Sequence, residues 1–206
     1  MSDAARQVRE FWFGRQPSTG AALEQRLRLW FGAAEPALRR AIDAEIARRF
    51  STLVRQAAAG ELASWAASPR RRLALILLLD QFPRHIHRGS AEAFATDPQA
   101  LALSLSGIQS GADAALEPLE RLFFYMPLQH AEMREVQEES VAAYRRLLQE
   151  SPQALTAALT AALRAAEQHR ALIERFGRFP QRNAVLGRTS SPQEESFLAA
   201  AGERFS

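Results

Sequence analysis

Apolar residues recur along most of the chain at steps of three and four, with polar residues filling the gaps, which is the pattern of amphipathic helices. Val8, Phe11 and Trp12 predict a first short helix over residues 3–13, broken by Gly14 and the Pro17–Gly20 stretch. Leu23, Leu27, Trp30 and Phe31 mark a second helix over residues 21–31. Pro36 opens a third, whose buried stripe is Leu38, Ile42, Ile46, Phe50 and Leu53, and Gly60 stops it. Trp65 falls in a short connecting segment.

The pattern then changes. Leu73–Leu79 is apolar without interruption, and it runs straight into Asp80, Gln81, Arg84, His85, His87 and Arg88. A run apolar on every side predicts a central, fully buried helix. A buried strand is the competing reading, but leucine and alanine outweigh β-branched residues here. Ser68 is the expected N-cap and Pro69 the first helical residue. Pro83 is expected to end or kink the helix near Phe82. A carboxylate at Asp80, at the exit of a core helix, needs a partner, and Arg84 and Arg88 are the nearest in sequence. The run is far shorter than the roughly 20 residues that cross a bilayer.

Amphipathic spacing resumes afterwards. Asp97-Pro98 reads as an N-cap with proline at the first position, followed by Leu101, Leu105 and Ile108. Pro118 starts a short helix with Leu119, Leu122, Phe123 and Met126 on one face, and Pro127 is expected to force Met126 out of helical geometry. A helix over about 131–150 carries Met133, Val136, Val141, Tyr144 and Leu148. Ser151-Pro152 begins a long helix, with Leu155, Leu159, Leu163, Ala166, Ile173 and Phe176 buried and Gly177 just past its end. Residues 178–190 form a loop rich in Arg, Pro and Gly. Ser191-Pro192-Gln193-Glu194 is a capping box that starts a last helix with Phe197 and Leu198. No β-alternation interrupts this series, so the expectation is an all-α protein of about eight or nine helices in one domain spanning residues 1–206.

Composition narrows the chemistry. The net charge is only +3, and every basic residue is arginine, which lifts the pI to about 10.4. The arginines are scattered among acids. The one cluster, Arg70–Arg72, reads as a solvated helix start, so no nucleic-acid partner is expected. With no cysteine, disulfides, thiolate metal sites and cysteine nucleophiles are excluded. The polar N-terminus carries no secretory pattern, and a cytoplasmic protein without a membrane partner is the expectation. No phosphate loop, dinucleotide fingerprint, H-E-x-x-H or nucleophile elbow is present, and no cofactor is expected. His85 and His87 stand two apart, off a common helix face, so no metal site is expected either.

Three polar clusters touch apolar faces. They are Asp80, Gln81, Arg84, His85, His87 and Arg88; then Tyr125, Gln129, His130, Glu132, Gln137 and Glu138; then the stretch FGRFPQRNAVLGR at 176–188. Such groups can simply stitch helix ends together. Alternatively, Asp80 and His130 could form a carboxylate–imidazole pair if the fold brings them together. His169, between Ala166 and Ile173, reads as a satisfied core histidine.

The stretches LLDQFPR, ERLFFYMPLQHAE and FGRFPQRNAVLGR, with FWFG at 11–14 and FATD at 94–97, resemble in order and over nearly the whole chain a bacterial family, domain of unknown function 924. The resemblance implies an all-α, TPR-like helical array with no established activity. Its characteristic positions fall here on Asp80, Gln81, Arg84, Arg88, Phe94, Asp97, Tyr125, Pro127, His130, Glu132, Gln137, Arg182, Asn183 and Arg188. Gln181 stands where the family usually has histidine, which removes an imidazole mechanism centred there.

Two functions remain in view. One is a binding module for an acidic peptide, a protein partner or an anionic small molecule, in a groove lined by Arg84, Arg88, Arg182 and Arg188 with Gln81, Tyr125, Gln137 and Asn183. The other is a small hydrolase-type enzyme using Asp80, His130 and Glu132 as acid/base groups. The N-terminal aromatics could be core or a homo-oligomer face.

Overall fold

The central run is a helix buried on every side. In the computed structural model, which describes residues 3–15, 20–31 and 35–201, each residue from Leu73 to Leu79 is at most 3% exposed. All regular structure among the described residues is helical. It begins with α1 (Ala4–Phe13), capped by the Asp3 carboxylate on the Ala5 N–H, then α2 (Gly20–Phe31) and α3 (Pro36–Ala58). The expected break at 17–19 lies outside the described residues. The central segment is α4 (Pro69–Ile76) and α5 (Phe82–Ile86), joined by a π-helical turn at Leu77–Gln81. Then come α6 (Asp97–Gln109), α7 (Pro118–Phe124), α8 (Met126–His130), α9 (Arg134–Glu150), α10 (Thr156–Phe176) and α11 (Pro192–Ala201).

α9 and α10 pack side by side, α1 and α6 flank α4, and α3 lies along α5. Of the N-terminal aromatics, Trp12 and Trp30 belong to the core, whereas Phe31 is exposed. Trp12 is fully buried, with its ring 5.5 Å from Phe82 and 5.4 Å from Phe123. Gly107 lets α6 close on α7: a Cβ there would collide with the buried Phe124 ring. A second, smaller core of Leu172, Ile173 and Phe179 closes the far end of α10.

Several expectations are corrected at element ends. Ser68 occupies the N-cap position of α4, but its hydroxyl makes no cap bond. Thr96, not Asp97, is the N-cap residue of α6. The break between α7 and α8 falls at Tyr125, so Met126 and Pro127 form the first turn of α8. Met133 is the N-cap residue of α9 and is exposed, as is Leu38 on α3. The capping box holds: Glu194 N–H donates to Ser191 Oγ at 3.3 Å, and Ser191 N–H to Glu194 Oε2 at 2.7 Å.

Pro83 does not end the central helix, and the reason shapes the site. The Phe82 N–H donates five residues back to the Leu77 carbonyl, widening one turn into π geometry. Proline has no N–H for the carbonyl four residues before it, that of Leu79. The Thr96 hydroxyl donates to this carbonyl from outside the helix, at 2.5 Å. The Arg84 guanidinium donates to the next one, Asp80 O, at 2.5 Å. The gap that Pro83 leaves at Leu79 is thus closed by a hydroxyl from outside the helix. Thr96→Val keeps the shape and removes the donor. It is expected to lower stability by about 1–2 kcal/mol in urea unfolding. A change below about 0.5 kcal/mol would mean that water replaces the hydroxyl.

Candidate functional site

The π turn aims the Asp80 side chain into the protein, where it is completely buried. Its Oδ1 accepts from His130 Nδ1 at 2.6 Å and lies 3.4 Å from Arg84. Its Oδ2 accepts from the Gln81 amide. Arg84 reaches on to Asp97 with two parallel bonds, 2.8 and 2.9 Å. Arg182 donates to the same Asp97 carboxylate at 3.2 Å. The Arg182 guanidinium is held between two rings, 4.7 Å from the centre of Phe94 and 4.8 Å from that of Phe179. The stretches LLDQFPR, FATD, QHAE and FGRFPQRNAVLGR, far apart in sequence, therefore meet at one junction.

A second ring of bonds fixes the loop after α10. Glu132 accepts from Arg188 at 2.6 and 3.0 Å and from the Phe179 N–H at 2.7 Å. Arg188 also donates to the Phe179 carbonyl at 3.0 Å. Asn183 donates to Ser190 Oγ at 3.0 Å. Gln137, completely buried, donates to the carbonyls of Leu128, Gln129 and Ala131 at 3.1, 2.9 and 2.7 Å, capping the C-terminal end of α8.

The electrostatics sort the titratable groups. Burial alone would push the Asp80 carboxyl up, but the Arg84 charge and the His130 bond outweigh it and hold the acid well below the usual carboxylate range. Burial and the Arg84 charge push the His130 imidazole down, against the pull of Asp80. The pair at neutral pH is therefore a carboxylate and a neutral imidazole. An ionised carboxylate only accepts, so Nδ1 carries the proton and Nε2 the lone pair. Nε2 makes no hydrogen bond to any described residue. The His169 ring lies 6.4 Å from the His130 ring, edge to face, and donates Nδ1 to the Ala165 carbonyl at 2.7 Å. Burial, then the neighbouring His130, bring its pKa down to about 4.

Other expected site residues lie outside this junction. Arg88 donates to both oxygens of Asp43, at 2.7 and 2.9 Å, and His85 Nδ1 meets the same carboxylate at 2.8 Å. Tyr125 donates to Asp113 at 2.5 Å and accepts from Arg121 at 3.1 Å. Burial, with Asp113 beside it, pushes its phenol up to about 12. Thr96, Asp43 and the Phe179 backbone were not singled out from sequence. Of these only Asp43 had a local signal, an acid set between Ile42 and Ile46. Among the described residues no group of three or more His, Asp or Glu is arranged to hold a metal ion, and no helix is long and apolar enough to cross a membrane.

The family described as bacterial protein of unknown function, DUF924, matches residues 8–202. A solved structure, the protein of unknown function ATU0120 from Agrobacterium tumefaciens, is 34% identical, with a TM-score of 0.78 over 95% of this chain and 97% of that one. No curated protein matches the chain.

Proposed function

The chain belongs to the DUF924 family of bacterial proteins, and we propose that in it the junction of the four stretches is an acid–base site for a small anionic substrate. The observation that carries this is the 2.6 Å bond from His130 Nδ1 to a fully buried Asp80 carboxylate. That bond fixes the tautomer and leaves Nε2 as an acceptor. In this reading His130 takes a proton from a bound water or acidic group and returns it to the leaving atom. Asp80 orients the ring and stabilises the imidazolium as it forms. Arg182 uses one of its N–H groups on Asp97, and its remaining donors would hold the substrate's negative charge. Glu132 is a positioning residue, committed to Arg188 and Phe179.

The other reading, a TPR-like groove for an acidic peptide, has less behind it. Arg84, Arg88 and Arg188 are each held by two bonds to a carboxylate of the chain, and only Arg182, with a single bond to Asp97, keeps donors to spare, so the four do not make a cationic groove.

The test combines hydrolysis of a panel of small carboxylate and phosphate esters with mapping of histidine modification by diethyl pyrocarbonate. His130 is expected to be modified. Turnover is expected to fall at least about a hundredfold in His130→Gln and Asp80→Asn, while Arg182→Ala mainly raises KM. Absence of turnover with an unreactive His130, or equal turnover in His130→Gln, would overturn the proposal and leave the junction as a structural clasp.

A further inference from the structure

On another side of the central helix a cavity of about 290 Å³ opens between α2, α3 and α5. His130 does not line it. Its apolar wall is Leu29, Trp30 and Ile42, with Phe31 exposed at the rim. Its polar wall holds three arginines and one carboxylate: Arg39, Arg84, Arg88 and Asp43.

These charges are not equivalent. Asp43 is saturated by His85 Nδ1 at 2.8 Å and by Arg88 at 2.7 and 2.9 Å. Arg84 is turned to Asp97 by its two parallel bonds. Burial outweighs Asp43 and pushes His85 down, so that ring adds no charge at neutral pH. Gln81 closes the floor with a neutral amide that is itself tied to Asp80. The Arg39 guanidinium alone, of the cavity's cations, makes no ion pair or hydrogen bond with a described residue. The cavity thus presents one uncommitted positive charge beside an aromatic and aliphatic wall. Apolar walls with a few placed polar groups are the usual make-up of small-molecule sites. A single free guanidinium matches a monoanion better than a multiply charged one.

We infer that this cavity binds a small amphiphilic monocarboxylate, with its carboxylate on Arg39 and its hydrocarbon part against Trp30, Leu29 and Ile42. The inference is independent of the acid–base reading, since it uses neither His130 nor Arg182.

Trp30 supplies the signal. Its indole N–H is fixed on the Trp12 carbonyl at 3.0 Å while the residue lines the cavity. The full chain is titrated with octanoate, phenylpropionate, octanamide and inorganic phosphate, following tryptophan fluorescence, with Trp30→Phe to identify the source. Both carboxylates are expected to give saturable changes, with octanamide at least about tenfold weaker. Arg39→Ala is expected to weaken the carboxylates by about the same factor and to leave octanamide unchanged. His130→Gln is expected to bind as the natural chain does. Equal binding of acid and amide, competition by phosphate at the concentrations where octanoate binds, unchanged binding by Arg39→Ala, or no saturable change would each overturn it.

Discussion

Asp80→Ala is expected to cost about 3–5 kcal/mol of folding stability, the usual penalty for removing one member of a buried charged pair. The size follows from what is left behind. Arg84 keeps Asp97, but it loses the carboxylate 3.4 Å away and stays mostly buried. The Gln81 amide is left with only the Met126 sulfur, at 3.1 Å, and His130 Nδ1–H is orphaned inside the protein. A domain of this kind has roughly 5–15 kcal/mol in total, so the variant sits near the edge of folding. The comparison is the Glu45–Arg48 pair on α3, which is well exposed. Glu45→Ala there should cost less than about 1 kcal/mol, because water already solvates both partners. Urea unfolding of the two variants side by side decides the matter. If Asp80→Ala costs no more than the surface control, water reaches the junction and the Asp80–His130 pair lacks the low-dielectric setting argued for it. A double-mutant cycle with His130→Ala then isolates the pairwise term.

Much of the architecture was legible because it is written in local pattern. Pro36, Pro69, Pro118 and Pro192 each mark a helix start, where a missing N–H is harmless. The apolar run at 73–79 had to be central, since no amphipathic arrangement could cover it. What local pattern could not show is the effect of a distant partner. Pro83 carries the same signal as any helix-breaking proline, yet the helix continues because Thr96 closes the gap at Leu79. Nothing within four residues of Pro83 announces that hydroxyl. The junction is similar. Asp80, His130 and Arg84 could be picked out as polar groups on apolar segments, but their pairing depends on how α5, α6, α8 and the loop after α10 pack. Asp97 shows the same limit from the other direction. Its N-cap reading was locally sensible, but two arginines from separate stretches claim its carboxylate, and Thr96 holds the cap position instead.

Those same groups make the fold sensitive to acid. In the unfolded chain a histidine takes up its proton near pH 6.5. In the folded chain His169 does so only at about 4, and His130 and His85 are also held below the ordinary value. Between those limits the unfolded state binds more protons, so acidification favours unfolding. For His169 the gap between 6.5 and about 4, at about 1.4 kcal/mol per pH unit, amounts to about 3 kcal/mol once pH has fallen through 4. The carboxylates then add to the loss. Asp80, Glu132 and Asp43 all stay ionised below the ordinary carboxylate range in the fold, against burial, because Arg84, Arg188, Arg88 and their hydrogen bonds hold them so. Their unfolded counterparts protonate near pH 4, so the decline continues below that value. Stability is therefore expected to be level above about pH 7 and to fall steadily from 6.5 downwards. The test is the urea midpoint measured from pH 7.5 down to about 3.5. His169→Phe keeps a ring against Phe179, 5.2 Å away, and removes the titrating group. It should flatten the slope by about one proton's worth while leaving the decline near pH 4 in place. A midpoint independent of pH between 7 and 5 would show that these rings protonate in the folded state as they do in water, and the neutral His130 on which the acid–base reading depends would go with them; an unchanged slope in His169→Phe would remove His169 alone from the account.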